Sequence, residues 1–172
     1  IVITGLGGSG IGGKIATQLV ADQLKIPAVI NNDYRLPTFV NENTLVIVSS
    51  FSGNTEETLE ALEAAQKANA EIACITSGGK LAQIAKDNNY NLLVLPKAFS
   101  PRAMLTYSVI QQLFLFHHYG FINNHFINDT KETIKLLDEE VNDIISIAKK
   151  TAKSLFKKTT VAYSEASLEG VI

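Results

Sequence analysis

Cysteine is nearly absent from the sequence, and its single occurrence, Cys74, excludes an internal disulfide and suits a reducing compartment. Cys74 sits in the apolar run "EIACIT", which predicts a buried and inert thiol. Long hydrophobic runs are missing too: no stretch approaches the ~18 consecutive apolar residues of a membrane-spanning helix. Nor does the chain open with a basic, hydrophobic leader, so a cytoplasmic address is expected and no membrane partner. Charge of one sign is scarce. The net charge is −2, with 15 Lys and Arg against 17 Asp and Glu. That balance argues against a nucleic-acid partner or an anionic membrane surface. The three histidines, His117, His118 and His125, lack cysteine or acidic residues at ligand spacing, so no metal site is expected.

What is present is globular. Of 172 residues, 46% are apolar and 19% charged, ample for a core of one ordinary domain, with an appendage. Both ends fall within strand-like text ("IVIT" at the start, "TTVAYS" shortly before the end), so the chain reads as a piece of a longer protein.

The first hundred residues alternate between two patterns. "IVIT", "AVINN", "TLVIVSS", "EIACITS" and "NLLVLP" are apolar runs of strand length. Helical spacing follows in "IGGKIATQLVADQL", at Thr55–Ala68 and at Lys80–Lys86. Strands that are apolar on both faces and alternate with helices predict an α/β fold, a three-layer α/β/α sandwich around a five-stranded parallel sheet. Ligands of such sheets bind at the carboxyl ends of the strands, where the corners lie. Ser100 and Pro101 then read as the start of a helix running to about Tyr119. A second, long helix is expected from about Thr130 to Lys158, with one buried stripe formed by Ile134, Leu137, Val141, Ile144, Ala148, Ala152 and Leu155.

Three corners carry residues beyond what a turn needs. In "GLGGSGIGG", Gly5, Gly7 and Gly10 satisfy G-x-G-x-x-G, and Asp33 follows at roughly the distance of a dinucleotide fingerprint. Backbone N–H groups at a helix N-terminus suit a phosphate in any case, and Ser9 adds a hydroxyl that a pyrophosphate-hugging backbone does not require. In "SSFSGNTEE", Asn54 and Glu57 read as a capping-box-like pair. Ser50, Ser52 and Thr55 remain as a neutral cradle matched to the oxygens of a phosphate monoester, which weighs against the dinucleotide reading. In "SPRAML", Arg102 stands in the first turn of its helix against the dipole, serving either an anion or a surface carboxylate.

Together, "GLGGSGIGG", "SSFSGNTEETLEAL" and "SPRAML" resemble the sugar isomerase (SIS) family of phosphosugar-binding domains, and within it the bifunctional phosphoglucose/phosphomannose isomerases. The resemblance implies a SIS-type, flavodoxin-like sheet and a hexose 6-phosphate substrate. It implies that Ser9, Ser50, Ser52 and Thr55 hold the phosphate, that Gly7 and Gly8 meet the sugar, and that Arg102 is catalytic at its reactive end. It also implies conversion between glucose or mannose 6-phosphate and fructose 6-phosphate without metal or organic cofactor, in a homodimer. A carboxylate base would move a proton through a cis-enediol(ate), whose charge an arginine stabilises. No position here matches the family's base or ring-opening residue, and Glu165 and Glu169 are not assigned those roles. The expected organisation is a SIS domain over 1–122, a linker helix over 123–158 and the start of a second SIS domain over 159–172. A non-catalytic phosphosugar-sensing module is the alternative.

Overall fold

Five runs of β-branched and aliphatic residues become the strands, in the order the alternation predicts. The computed structural model describes residues 1–97 and 101–164, with the backbone alone at Pro101 and Arg102. The chain forms two compact units, Ile1–Ile122 and Asn123–Ile172.

The first unit runs β1 (Val2–Thr4), α1 (Gly8–Leu19), β2 (Val29–Asn31), β3 (Leu45–Ser49), α2 (Glu56–Lys67), β4 (Glu71–Thr76), α3 (Gly79–Asp87) and β5 (Asn91–Val94). A 3₁₀ turn (Pro101–Met104) leads into α4 (Leu105–His118). All strand pairs are parallel and the sheet order is β2-β1-β3-β4-β5, with Val2 opposite Val46 and Val48 opposite Cys74. This is the flavodoxin-like doubly wound order, whose direction of winding reverses between β1 and β3. Alternation along the strands sends Val2, Val46, Val48, Ile72 and Cys74 to one face, where they meet Leu62 and Ala65 of α2 and Leu81 and Ala85 of α3. The opposite face carries Ile3, Ile47 and Ile75, all fully buried. There α1 packs closely on α4. Each such side chain removed from water contributes roughly 1.5–3 kcal/mol.

Helix ends are set by local chemistry. After α2, Asn69 takes φ 54°, and the N–H groups of Asn69 and Ala70 return to the carbonyls of Gln66 and Ala65. After α3, Asn89 (φ 57°) and Tyr90 do the same with Lys86 and Ala85, and after α4, Gly120 (φ 76°) and Phe121 with His117 and Phe116. These are three Schellman endings, two of them built on asparagine.

The second unit contains α5 (His125–Leu155), which starts five residues before the expected Thr130 and ends short of Lys158. Its stripe differs from expectation: Ile134, Leu137, Val141, Ile144 and Leu155 are exposed rather than buried. Amphipathic spacing selects a face, but burial needs a surface to cover it. Residues 159–164 of "TTVAYS" form no strand, since a strand requires a hydrogen-bonded neighbour and none pairs with them among the described residues. Glu165 and Glu169 lie outside the described residues. Among the described residues, no helix is long and apolar enough to cross a membrane.

Candidate functional site

The corners after β1 and β3 stand side by side, because those two strands are neighbours at the reversal point of the sheet. Between them lies a cavity of about 520 Å³, within the ~300–1,000 Å³ typical of small-molecule sites. Gly7, Gly8 and Ser9 line it from the first corner, Ser52 and Thr55 from the second, and Leu95, Met104 and Ser108 from the β5–α4 side. Five of the expected site residues therefore share one cavity.

The first corner is tighter than its glycine content suggests. α1 begins at Gly8, three residues before the expected start at Ile11, so most of these glycines are helical. A methyl at Gly5 would come within 2.7 Å of the Ser49 carbonyl oxygen, and one at Gly10 within 2.5 Å of the Gly5 oxygen. The fingerprint spacing thus serves the close approach of α1 to β1 and β3. Asp33 is engaged locally, its Oδ1 accepting from the Tyr34 N–H at 2.6 Å, and it does not line the cavity. Gly7, the N-cap residue, has φ 52° and ψ −131°, a region open only to glycine at low cost.

The second corner is strapped to the corner after β4. Ser77 N–H and Ser77 Oγ both donate to the Phe51 carbonyl (3.0 and 2.6 Å), and Leu81 N–H donates to the Gly53 carbonyl (2.9 Å). Asn54 does not cap α2, as the capping-box reading expects. Its Oδ1 accepts from the Lys80 N–H at 3.0 Å and so caps α3. The N-cap of α2 is Thr55, which makes no side-chain cap bond, and neither does Gly7 at α1. Two helix N-termini with uncapped N–H groups therefore open on one cavity, each carrying a partial positive charge.

The hydroxyls are set from behind. Ser50 is 3% exposed and does not reach the cavity wall; its Oγ accepts from Gly53 N–H (3.1 Å) and lies 2.9 Å from Thr55 Oγ1. Either hydroxyl of this pair can donate; with Ser50 as the donor, the Thr55 proton is left to point outward and the bonds of the chain polarise one another. Ser52 Oγ accepts from Asn54 N–H (3.2 Å), leaving its proton to donate. No charged side chain lines the cavity among the described residues. The backbone of Arg102 lies in the 3₁₀ turn that delivers Met104 to the wall, while its side chain, like Ser100, lies outside the described residues.

Two residues escaped the sequence reading. Ser108, 4% exposed, lines the cavity from α4, and Gln112, fully buried one turn later, donates to Ser108 Oγ at 3.4 Å. Gln112 Oε1 has no partner among the described residues, a deficit of about 1–3 kcal/mol for a buried amide oxygen. A polar pair four apart in the apolar "LTYSVIQQLFLF" was the available signal. A wider groove of about 960 Å³ flanks α2, but Arg35, Glu60, Glu63 and Lys67 line it and none of the hydroxyl cluster does. His117 and His118 do not line the cavity, and His117 Nδ1 lies 3.1 Å from the Ile122 carbonyl oxygen.

The family model for the SIS domain matches residues 1–119. The chain belongs to the SIS domain family. Similar curated proteins include the bifunctional phosphoglucose/phosphomannose isomerase of Caldicellulosiruptor bescii, 41% identical over all of this chain and 52% of that protein. The protein of the same description from Aquifex aeolicus is 34% identical over 95% of this chain and 49% of its own length. The chain thus spans about half the length of these relatives. Among solved structures, tagatose-6-phosphate ketose/aldose isomerase from Escherichia coli aligns with a TM-score of 0.68 at 20% identity, over 98% of this chain and 49% of that one. That likeness agrees with the sheet order of this SIS domain.

Proposed function

We propose that this SIS domain holds the phosphate of a hexose 6-phosphate and forms the phosphosugar-binding half of an isomerase interconverting glucose or mannose 6-phosphate with fructose 6-phosphate. The observation that carries the reading is the convergence of two uncapped helix N-termini with the hydroxyls of Ser9, Ser52 and Thr55 on one cavity. Neutral donors in that geometry match the three terminal oxygens of a phosphate monoester and add no charge that must be desolvated. Ser50 supports Thr55 from behind. Gly7 and Gly8 bring backbone close to the sugar, and Arg102 stabilises the charge that develops on the enediolate oxygen.

Moving a proton between C1 and C2 also needs a base. Among the described residues lining the cavity none carries a carboxylate or an imidazole. In this reading the base and the ring-opening group enter from residues beyond that lining. That these relatives are phosphoglucose/phosphomannose isomerases supports the choice of substrate pair.

The test replaces Ser52 and Thr55 by alanine in the full gene product and follows isomerisation of each hexose 6-phosphate. Two hydrogen bonds to a charged group, at about 1.5–3 kcal/mol each, correspond to a rise in KM of roughly 10²-fold or more. Unchanged KM values for both substrates would remove the phosphate assignment.

A further inference from the structure

We propose that Ser108 is a further substrate-binding residue of this cavity, its hydroxyl meeting a hydroxyl of the sugar chain, and that Gln112 is the residue that orients it. The inference rests on the phosphosugar reading above and extends it to the α4 side of the cavity.

A serine inside a helix ordinarily returns its proton to a carbonyl three or four residues back. Four helical hydroxyls of this chain do so, Thr17 to Gly13, Thr130 to Phe126, Thr133 to Asp129 and Ser154 to Thr151, whereas the buried Thr58 of α2 has no partner among the described residues. Ser108 makes no such bond among the described residues. Its Oγ instead accepts from Gln112 Nε2 at 3.4 Å, so its own proton remains to be given. The residue is 4% exposed yet lines the cavity, which leaves the cavity as the place where that proton is given.

The surroundings are shaped around this hydroxyl. A methyl group on Gly12 of α1 would fall inside Ser108 Oγ and 2.7 Å from Ser108 Cβ, so only glycine at that position admits the side chain. Gln112 is fully buried and its Oε1 has no partner among the described residues, a loss of stability that an apolar residue of similar volume would avoid. Retaining the amide serves its side-chain bond to Ser108. Both helix N-termini and the hydroxyl cradle lie in the α1 and α2 corners, so a phosphate seated there leaves the sugar chain to reach α4.

The experiment compares the full gene product with Ser108→Ala and Gln112→Met by calorimetric titration with fructose 6-phosphate and, separately, inorganic phosphate. Ser108→Ala is expected to raise the fructose 6-phosphate Kd roughly 3- to 10-fold, the range of one neutral hydrogen bond, with inorganic phosphate affinity unchanged. Gln112→Met is expected to weaken the sugar phosphate in the same sense while its Tm holds or rises, which a merely structural role would not produce. Equal Kd values for fructose 6-phosphate in wild type and Ser108→Ala overturn the inference and leave the phosphate site standing. Equal weakening of both ligands by Ser108→Ala overturns it as well, since the effect is then on the fold. Failure of the wild-type protein to bind either ligand removes the phosphosugar reading itself.

Discussion

Gly53→Ala tests whether the Ser50–Thr55 loop, the proposed phosphate site, is held by its strap to the neighbouring corner. Gly53 has φ +67°, and an added Cβ would fall inside the Gly78 carbonyl oxygen and 2.8 Å from Thr76 Oγ1. Those neighbours are backbone and a fully buried threonine, so neither yields as the end of a flexible side chain does. The left-handed conformation itself costs about 1–2 kcal/mol for a residue with a Cβ. Separating the two corners also breaks two or three of the bonds that join or set them, among them Leu81 N–H to Gly53 O (2.9 Å), Lys80 N–H to Asn54 Oδ1 (3.0 Å) and Gly53 N–H to Ser50 Oγ (3.1 Å). At about 1 kcal/mol each these bring the sum to about 3–5 kcal/mol, or a Tm lower by roughly 6–20 °C. Gly120→Ala is the control. Its φ is +76°, but nothing lies within 4 Å of the added carbon, so only the conformational part applies, about 1–2 kcal/mol. Thermal melts of both variants, with phosphate competition measured alongside, decide the matter. Equal melting temperatures for the two would refute the strap, and so would a destabilised Gly53→Ala that binds phosphate as tightly as wild type.

Two further outcomes follow from single hydrogen bonds. Asn54→Ala should cost about 0.5–2 kcal/mol and speed amide exchange at the start of α3, leaving the start of α2 unchanged; the reverse pattern would mean that Asn54 caps α2 after all. Tyr119 is pushed up to about 12 by burial first and then by its 2.7 Å hydrogen bond to Glu71. The native protein thus holds this proton more tightly than the unfolded chain, whose phenol titrates near 10.0. Stability from this group is intact below about pH 10 and is lost as pH rises toward about 12. Ultraviolet difference titration against Tyr119→Phe checks the sign, and a Tyr119 titrating with the exposed tyrosines would contradict it.

The five strands were legible because parallel strands are buried on both faces, so an apolar run of four to six residues has few other uses. The middle helices were legible to within about a residue for a similar reason, their stripes facing a sheet that the same sequence supplies. Interactions that cross between elements were not. Asn54 looks like a cap for the helix that follows it, and nothing local shows that its partner is the Lys80 N–H, 26 residues on. The start of α1 differs from expectation because glycine signals a corner, whereas here Gly8, Gly10, Gly12 and Gly13 are helical, and Gly5 and Gly12 permit close packing on Ser49 and Ser108. Spacing makes Ser50, Ser52 and Thr55 three equivalent hydroxyls of a cradle, yet Ser50 stands behind Thr55. Burial order is a property of the folded corner, not of spacing.

That order is what would let a neutral pocket serve the proposed phosphate. A lysine reaching a phosphate surrenders about 2 kcal/mol of rotamer entropy when it binds. Short hydroxyls have little to surrender, and here even that is settled on folding. Gly53 N–H fixes Ser50, Ser50 fixes Thr55, and Asn54 N–H fixes Ser52, all before any ligand arrives. The donors are then aimed in advance, as are the N–H groups of both helix starts, and binding keeps what flexible groups would lose. It follows that affinity in this site should respond to residues that never touch the ligand. In the proposed reading Gly53 and Asn54 act through the strap and Gln112 through Ser108, each from behind the cavity wall.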